Sequence, residues 1–365
     1  NLSAARDTQL MQSLLTTANH VIDVMDAGTT MRFLTAYFAV TRQNKLLTGT
    51  DRMKERPINL LVDALRTLGV TIDYKGKEGF PPIETGGFDR QLTNLISIRG
   101  DISSQFISAL MMVAPALPLG LTIELQGKTG SFPYLRMTAE LMSLFGVRPE
   151  LSEKQIQIGP GSYKPATYRV EPDWSAASYW FAFTALAQSA AILLPKVEAE
   201  ALQGDKVIID IMSHLGVKSE FTLDGLRLTK SKTVTDLLKW DFTNCPDLAQ
   251  TVLPVCAAKN IKGVFIGLES LRIKETDRIA ALQAELGKIN ARLVGEGGAW
   301  NLLPAFTPPP PGTVFKTYHD HRMAMGLAPL ATLADISIDS PDVVNKSYPS
   351  FWEDLGAIGF RTELK

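Results

Sequence analysis

Positively charged residues occur at three places in the sequence just before or at a predicted helix start. Two clusters lie in DRMKERP (residues 51–57) and LRIKETDR (residues 271–278), and the third place is marked by Arg322 in HDHR. A cation at a helix N-terminus opposes the helix dipole, so it needs another reason to be there. For any one cluster, neutralisation by Glu275 and Asp277 or similar acids on a solvated face is the plainer explanation. Several clusters at corresponding places instead favour a shared pocket for a polyanionic ligand.

Two residues beside these cations could transfer protons. Asp247 follows Pro246 at a helix start, where an aspartate commonly serves as the N-terminal cap. A carboxylate that lies between cations could instead bind a substrate hydroxyl and accept its proton. A lone histidine is usually a core residue, but the neighbours of His321 are an aspartate and an arginine, which favours a role in a site.

Helix starts elsewhere offer free backbone N–H groups, which form ready anion sites. Gly28, in the run Gly-Thr-Thr, allows a ligand to approach the backbone closely. Ser103, Ser104 and Gln105 add two hydroxyls and an amide that suit phosphate or sugar-like oxygens. Taken singly, such a start is more often an ordinary helix cap than a ligand site.

The residues that could do chemistry belong to helix starts that repeat along the chain. Five segments share a polar cap followed by a helix that is apolar on nearly every face, and they begin at Asp26, Asp101, Asp173, Asn244 and His319. These starts are 75, 72, 71 and 75 residues apart. A helix that is apolar all round belongs inside a core, while its polar first turn must reach an edge or a cleft.

A second, amphipathic helix recurs in the same register and stops near a glycine. The stop glycines are Gly69, Gly146, Gly216 and Gly287, and the last of these segments includes Gly356. Pro57 is expected at the first helical position of the first of these helices. Short β-type runs such as LTIELQG and VFIGL lie between the helices. The sequence therefore predicts an α/β chain of tandem repeats of about 72 residues, and a sixth buried helix would fall before Asn1.

Composition narrows the class of protein. The chain has 365 residues, 45% of them hydrophobic, and its 37 basic and 38 acidic residues leave a net charge of −1. This length suits two domains, and the charge balance argues against a nucleic acid or a membrane surface as partner. The only cysteines, Cys245 and Cys256, suit the reducing cytoplasm and offer no disulfide or metal framework. The longest apolar stretch, residues 109–121, is too short to span a bilayer.

Seven motifs in order along the chain resemble those of the EPSP synthase family of enolpyruvyl transferases. They are DAGTTMRFLTA, LTGTDRMKERPI, GDISSQF, LQGD, LRIKETDR, DHRMAM and NKSYPSFWEDL. The resemblance implies an inside-out α/β fold of two domains, each built from three βαβαββ repeats, with the active site in the cleft between them. We place the domains at residues 1–170, with an incomplete first repeat, and 171–365. The resemblance also implies a cytoplasmic monomer that is the target of glyphosate and uses no metal or organic cofactor.

The reaction that the resemblance implies joins shikimate 3-phosphate to phosphoenolpyruvate. The 5-hydroxyl attacks C2 of the enol while the methylene carbon takes a proton. The resulting ketal then loses phosphate and a proton to give 5-enolpyruvylshikimate 3-phosphate. Two phosphates and a carboxylate must be held together, which would explain the clusters of cations.

By motif, the resemblance also implies the site residues. The phosphoenolpyruvate contacts would be Gly28, Arg52, Gln105, Arg278, Arg322 and Lys346. The shikimate 3-phosphate contacts would be Ser103, Ser104, Gln105, Ser131, Tyr134, Asp247 and Lys274. Asp247 would accept the proton of the 5-hydroxyl. Glu275 and His321 would assist proton transfer or stabilise the intermediate.

Three features depart from the family pattern. The N-terminal Lys-Ser…Asn-Arg segment, whose lysine touches both substrates, does not occur in this sequence. We expect it upstream of Asn1 in the natural protein, and we expect the chain to be catalytically crippled without it. Ser270 stands where some members have an asparagine, which leaves that substrate contact open. His319 stands where other members carry a different polar residue, and we assign it no role.

Two other functions stay open at this point. The sister enolpyruvyl transferase that acts on UDP-N-acetylglucosamine shares the fold and the cosubstrate, but it usually relies on a cysteine in a mobile loop. Cys245, beside Pro246, and Cys256, within an apolar helix, do not resemble that loop. A non-catalytic scaffold would accommodate the missing lysine, although Asp247, Glu275 and the cation clusters speak against it.

Overall fold

A computed structural model describes residues 1–364, which divide into two compact units. The N-terminal unit contains residues 7–169, and the C-terminal unit contains residues 170–364 together with residues 1–6. The side chain of Asn1 exchanges hydrogen bonds of 2.9 and 3.1 Å with the backbone of Val170, which ties the first residues to the C-terminal unit. The ranges inferred from the sequence placed these six residues in the other half.

The N-terminal unit consists of two sheets and the helices that connect their strands. Its strands are β1 (Val21–Asp23), β2 (Lys45–Thr48), β3 (Val70–Tyr74), β4 (Ile83–Phe88), β5 (Leu95–Arg99), β6 (Leu121–Gln126), β7 (Glu150–Leu151) and β8 (Gln155–Ile158). The helices in this part of the chain are α1 (Arg6–Leu15), α2 (Gly28–Val40), α3 (Asp51–Lys54), α4 (Asn59–Thr67), α5 (Ser104–Val113) and α6 (Phe132–Leu144). The sheets have the orders β1-β2-β4-β3 and β5-β6-β8-β7, with the first pair of strands parallel and the other pairs antiparallel.

The C-terminal unit continues the same pattern. Its strands are β9 (Ala191–Pro195), β10 (Val217–Thr222), β11 (Gly225–Lys230), β12 (Leu237–Asp241), β13 (Lys262–Ile266), β14 (Arg292–Glu296), β15 (Ala299–Leu303), β16 (Val314–Phe315) and β17 (Ser337–Ile338). Its helices are α7 (Trp174–Leu186), α8 (Ile208–His214), α9 (Ala249–Ala258), α10 (Arg278–Gly287), α11 (His321–Leu327) and α12 (Phe351–Ala357). The sheet orders are β10-β11-β9, β12-β13-β15-β14 and β16-β17.

The mixed α/β architecture and its βαβαββ repeat are confirmed. Complete repeats run from β1 to β4, from β5 to β8 and from β12 to β15, each with the same strand order. The predicted strands LTIELQG and VFIGL correspond to β6 and β13. Shorter versions, within residues 170–364, are built around α7 with α8 and around α11 with α12.

The helices predicted to be buried on every face occupy the centres of the two units. All ten residues of α9 are buried, and in α7 only Ala176 among the thirteen residues is not. Each unit has its own hydrophobic core, to which α2 and α5 contribute in the N-terminal unit and α7, α9 and α11 in the C-terminal unit. Burial fixes the long axis of each helix, so its polar first turn is held in a defined place.

The amphipathic helices differ in detail from their predicted ends. Helix α4 begins at Asn59, so Pro57 precedes the helix instead of occupying its first position. Gly69 ends this helix as predicted, with a φ of +102° that glycine adopts without the steric penalty of a side chain. Helix α10 ends at Gly287 as predicted, and Gly356 lies within α12, which ends at Ala357. No described helix is long and apolar enough to cross a membrane.

Candidate active site

Helix N-termini of the C-terminal unit bring their charged residues together around Arg278. This residue opens α10 and is only 1% exposed. Its Nε donates a hydrogen bond of 2.7 Å to Asp320, Nη1 one of 2.8 Å to Asp247, and Nη2 one of 2.9 Å to Glu275. We call these residues, with Lys274, His321 and Arg322, the C-terminal cluster. The predicted acid–base residues and cations of this part of the chain therefore lie together.

Asp247 lies in the short 3-10 helix Pro246–Leu248 that leads into α9. Besides Arg278, Arg322 Nη2 approaches one of its carboxylate oxygens to 3.1 Å, and Lys274 Nζ approaches the other to 3.7 Å. Burial acts to raise the pKa of the Asp247 carboxyl, but the charges of Arg322, Lys274 and Arg278 hold that pKa below its ordinary value of 3.8. Asp247 is therefore a firmly ionised carboxylate surrounded by cations.

Close packing of two buried helices brings Asp247 and Arg322 within reach of each other. At Gly326 in α11, a Cβ atom would lie 2.2 Å from the backbone oxygen of Gln250 in α9. Such a distance is far inside van der Waals contact, so only glycine allows this approach. The first turns of α9 and α11 consequently meet at the cluster.

His321 is buried in the first turn of α11, next to the Asp320 side chain that caps this helix. Burial lowers the pKa of the His321 imidazole to about 4, although the nearby Asp320 carboxylate opposes this shift. The imidazole is therefore neutral near pH 7. In that state it can donate a hydrogen bond from one ring nitrogen and accept one at the other.

Two further predicted residues of this unit lie on short 3-10 helices. Lys346 is 3% exposed at the end of Pro341–Lys346, a segment that packs against α11. Ser270 lies in Glu269–Ile273, whose buried Leu271 anchors the segment that leads to Lys274. Ser270, where the sequence departs from the family pattern, therefore lies on the segment that directly precedes Lys274 of the C-terminal cluster.

Asp205 is a buried acid next to the cluster that the sequence analysis did not assign. Ser175, in the first turn of α7, donates a hydrogen bond to Asp205 Oδ2 and accepts one of 3.4 Å from Arg322 Nη2. Burial, together with the negative charge of Asp247, raises the pKa of the Asp205 carboxyl to about 6. The only sequence signal was the motif LQGD, to which this aspartate belongs.

The N-terminal unit holds a second group of predicted residues at the starts of α2 and α5. Gln105 Nε2 donates a hydrogen bond of 3.0 Å to the Thr29 hydroxyl, which joins these helix starts. Ser103 caps α5 and accepts a hydrogen bond of 3.3 Å from the Gln105 N–H, and Ser104 is buried beside it. The structure therefore brings Gly28, Ser103, Ser104 and Gln105 together.

The start of α6 lies alongside the start of α5 in the same unit. Gly130 N donates a hydrogen bond of 3.0 Å to the Gly100 carbonyl, so the loops that precede the two helices run side by side. Ser131 then adopts a left-handed conformation with a φ of 56° at the cap of α6, and Tyr134 follows in the first turn of that helix. The predicted shikimate 3-phosphate contacts of this unit thus occupy neighbouring helix starts.

The arginines against Gly28 are Arg56 and Arg32, whereas the sequence analysis named Arg52. A Cβ atom on Gly28 would lie 2.7 and 2.8 Å from the two Nη atoms of Arg56, which is 6% exposed. Arg52 belongs to α3, where its half-exposed side chain forms an ion pair of 3.1 Å with Glu55. The role predicted for Arg52 stays a prediction, and the cations that this helix start contacts are Arg56 and Arg32 of α2 itself.

The acidic, histidine and cysteine side chains are the groups that could act as metal ligands or as nucleophiles. Among residues 1–364, no three His, Cys, Asp or Glu side chains are grouped so that they could hold a metal ion. Cys245 and Cys256 are both free and buried, and burial raises the pKa of the Cys245 thiol to about 12.

Curated proteins with similar sequences share one name. A 3-phosphoshikimate 1-carboxyvinyltransferase of Bacteroides fragilis is 45% identical over 368 residues, which cover 99% of this chain and 88% of that protein. Another of the same name, from Methanospirillum hungatei, is 34% identical over 344 residues, which cover 92% of this chain and 79% of that protein.

Solved structures and the family match agree with this similarity. An EPSP synthase from Acinetobacter baumannii superposes with a TM-score of 0.70 at 19% identity, over 93% of this chain and 79% of that chain. At this level of identity the likeness concerns the fold alone. The match to a protein family covers residues 1–355. The chain therefore belongs to the EPSP synthase (3-phosphoshikimate 1-carboxyvinyltransferase) family.

Proposed function

We infer that this chain transfers the enolpyruvyl group of phosphoenolpyruvate to the 5-hydroxyl of shikimate 3-phosphate. Membership of the family supports the reaction, and the Asp247 carboxylate among Arg278, Arg322 and Lys274 is the observation that carries it. The reaction needs one base beside several cations, because a neutral hydroxyl must lose a proton next to highly anionic groups.

The chemistry proceeds by addition and then elimination. The 5-oxygen forms a bond to C2 of phosphoenolpyruvate as its proton leaves, and the methylene carbon gains a proton to become a methyl group. The ketal then loses phosphate from C2 and a proton from that methyl group, which restores the enol double bond. Fixed guanidinium groups stabilise the phosphate and carboxylate charges throughout, since they need little reorganisation during the reaction.

Binding of the substrates would change the strength of Asp247 as a base. In the structure described, neighbouring cations hold its pKa below the ordinary value, so it is a weak proton acceptor. Anionic substrates compete for these same cations. As their positive charge turns towards phosphate and carboxylate groups, the pKa of Asp247 rises, and the carboxylate becomes a stronger base when the substrate hydroxyl is present.

The roles of the other residues are proposals of the same kind. Towards shikimate 3-phosphate we assign Ser103, Ser104, Gln105, Ser131, Tyr134, Asp247 and Lys274. Towards phosphoenolpyruvate we assign Gly28, Gln105, Arg278, Arg322 and Lys346, and Arg56 in preference to Arg52. Glu275 and neutral His321 would assist proton transfer or steady the ketal. We also propose a monomer that acts in the cytoplasm, where two unpaired thiols are compatible with the reducing conditions.

The preference for Arg56 can be tested with a matched pair of variants. Arg56→Met is expected to raise KM for phosphoenolpyruvate by about ten- to a hundredfold, because a charged hydrogen bond contributes about 1.5–3 kcal/mol. Arg52→Met, which removes a half-exposed side chain paired with Glu55, should change that KM less than about threefold. Steady-state kinetics of both variants decide the assignment. A larger effect of Arg52→Met would return the role to Arg52.

The reaction itself can be tested by following phosphate release in the natural full-length protein. We expect release only when shikimate 3-phosphate and phosphoenolpyruvate are both present, with an equal amount of 5-enolpyruvylshikimate 3-phosphate formed. Release that requires UDP-N-acetylglucosamine instead would identify the sister activity, for which the buried Cys245 and Cys256 are poorly suited. A folded protein that releases no phosphate with either acceptor would favour a binding role.

A further inference from the structure

The segment that leads into the C-terminal cluster has an unusual backbone. Tyr318 and His319 are consecutive non-glycine residues with φ angles of 55° and 56°. This left-handed region is sterically unfavourable for side chains beyond glycine, and it persists only where surrounding contacts impose it. Asp320, His321 and Arg322 follow directly, so their placement depends on whatever holds these two residues.

The buried carboxylate of Glu285 supplies such contacts. Glu285 is 1% exposed, its Oε1 accepts a hydrogen bond of 2.8 Å from the Tyr318 hydroxyl, and its Oε2 accepts one of 2.9 Å from Lys316 N. Lys288 Nζ, at 2.5 Å from Oε2, compensates the buried charge. Burial and the hydrogen bond to Glu285 raise the pKa of the Tyr318 phenol to about 12, so the Tyr318 hydroxyl remains a hydrogen-bond donor at neutral pH.

Glu285 acts on the segment from the same helix that carries Arg278. The two residues are seven positions apart in α10, which is close to two full turns and places them on one face. Arg278 binds Asp320 just after the left-handed pair, with hydrogen bonds of 2.7 and 3.2 Å. Glu285 binds Lys316 and Tyr318, before and within that pair. One helix therefore holds the segment on both sides of its unfavourable backbone.

A separate contact supports the same segment from another direction. Thr317 N donates a hydrogen bond of 2.6 Å to the carboxylate of Asp339, and Asp320 N donates one of 2.9 Å to the Thr317 carbonyl. These bonds fix the backbone at Thr317 but do not reach the side chain of Tyr318. The hydrogen bond from the Tyr318 hydroxyl to Glu285 connects a side chain of the left-handed pair to α10, the helix that begins with Arg278.

We propose that Glu285 is a positioning residue for the reaction, which holds residues 316–320 so that His321 and Arg322 face phosphoenolpyruvate correctly. The proposal rests on the proposed function. Glu285 touches no substrate in this account and acts through Tyr318 and the backbone of Lys316. Its loss should therefore impair the groups assigned to phosphoenolpyruvate while sparing the serines assigned to shikimate 3-phosphate in the N-terminal unit.

The test uses Glu285→Gln and Tyr318→Phe in the natural full-length protein. Both variants keep the side-chain shape, and Tyr318→Phe removes a single hydroxyl. For Glu285→Gln we expect kcat to fall and KM for phosphoenolpyruvate to rise by about tenfold each, since small misplacement of reacting groups is costly. The Kd for shikimate 3-phosphate, measured by calorimetry, should change less than about threefold. Tyr318→Phe should show the same pattern with smaller amplitude.

A control on the same helix separates positioning from general stability. Gln283 donates a hydrogen bond of 2.8 Å to the Leu293 carbonyl, away from the 316–320 segment. Gln283→Ala should lower the melting temperature but leave kcat and both substrate affinities unchanged. If Glu285→Gln is folded and its kcat stays within a factor of about two of the parent, or if Gln283→Ala gives the same kinetic pattern, the positioning role is overturned.

A second measurement keeps this proposal distinct from the proposed function. Hydrogen exchange at the amides of residues 316–322 reports the order of the segment without any substrate. Glu285→Gln should speed exchange there by about tenfold or more, and Gln283→Ala should not. If the parent protein fails to release phosphate, the proposed reaction is wrong. Unchanged exchange in Glu285→Gln shows instead that Glu285 does not hold the segment.

Discussion

Asp247→Asn is expected to lower kcat by about 10²- to 10⁴-fold, the range typical of a lost general base. Asparagine has nearly the same shape as aspartate but cannot accept the proton of the 5-hydroxyl. Binding of shikimate 3-phosphate should be retained, because removing a negative charge from among Arg278, Arg322 and Lys274 does not weaken their attraction for an anion. Phosphate release gives kcat, and calorimetry gives the Kd for shikimate 3-phosphate.

Asp277→Asn is the matched control for this experiment. Asp277 also precedes a helix of the C-terminal unit, where it caps α10 and forms an ion pair of 3.2 Å with the exposed Arg272. Asparagine caps helices about as well as aspartate, so both stability and kcat should stay close to those of the parent. Turnover of Asp247→Asn within about threefold of the parent would remove Asp247 as the base.

Arg278→Met is expected to reduce the free energy of unfolding by about 3–5 kcal/mol and to abolish measurable turnover. The guanidinium of Arg278 is 1% exposed, and Asp320 beside it is fully buried. Removing the arginine leaves the Asp320 carboxylate in the core without the charge that compensates it. Urea denaturation monitored by fluorescence measures the change, since the C-terminal unit contains the tryptophans of α7.

A second substitution tests whether the buried charge causes this loss. In Arg278→Met/Asp320→Asn the carboxylate is also removed, so part of the lost stability should return while turnover stays absent. Arg272→Met serves as the control, because its ion pair with Asp277 is half-exposed and should contribute less than about 1 kcal/mol. A loss below about 1 kcal/mol for Arg278→Met would show that the charge network contributes little to stability.

The sequence was informative wherever the signal was local and periodic. The five buried helices were predicted correctly because apolar periodicity reports directly which faces a helix must bury. The two strand segments that the analysis named were also found. Repetition of that pattern every 71–75 residues also predicted a tandem α/β repeat. The sheet orders show this repeat as the βαβαββ unit that the family resemblance implied. The ends of helices were less predictable, since α4 begins two residues after Pro57, which was expected at its first position.

Site residues were predictable only to the level of the segment. Arg52 and Arg56 are one helical turn apart in the same motif, and both looked equally suited to bind an anion. The end of α3 at Lys54 and the burial of Arg56 place this arginine against Gly28. The choice depends on how the chain turns after α3, which no local pattern encodes.

The sequence by itself determined the repeat, the buried helices and the chemical types of residue at their starts, because each follows from spacing along the chain. Only the tertiary structure decided which of those residues meet. Asp205 reaches Ser175 from thirty positions away, and Glu285 reaches Tyr318 from thirty-three. Such contacts arise where separate helices pack, so their partners are set by the shapes of the buried faces and not by the residues next to them in the chain.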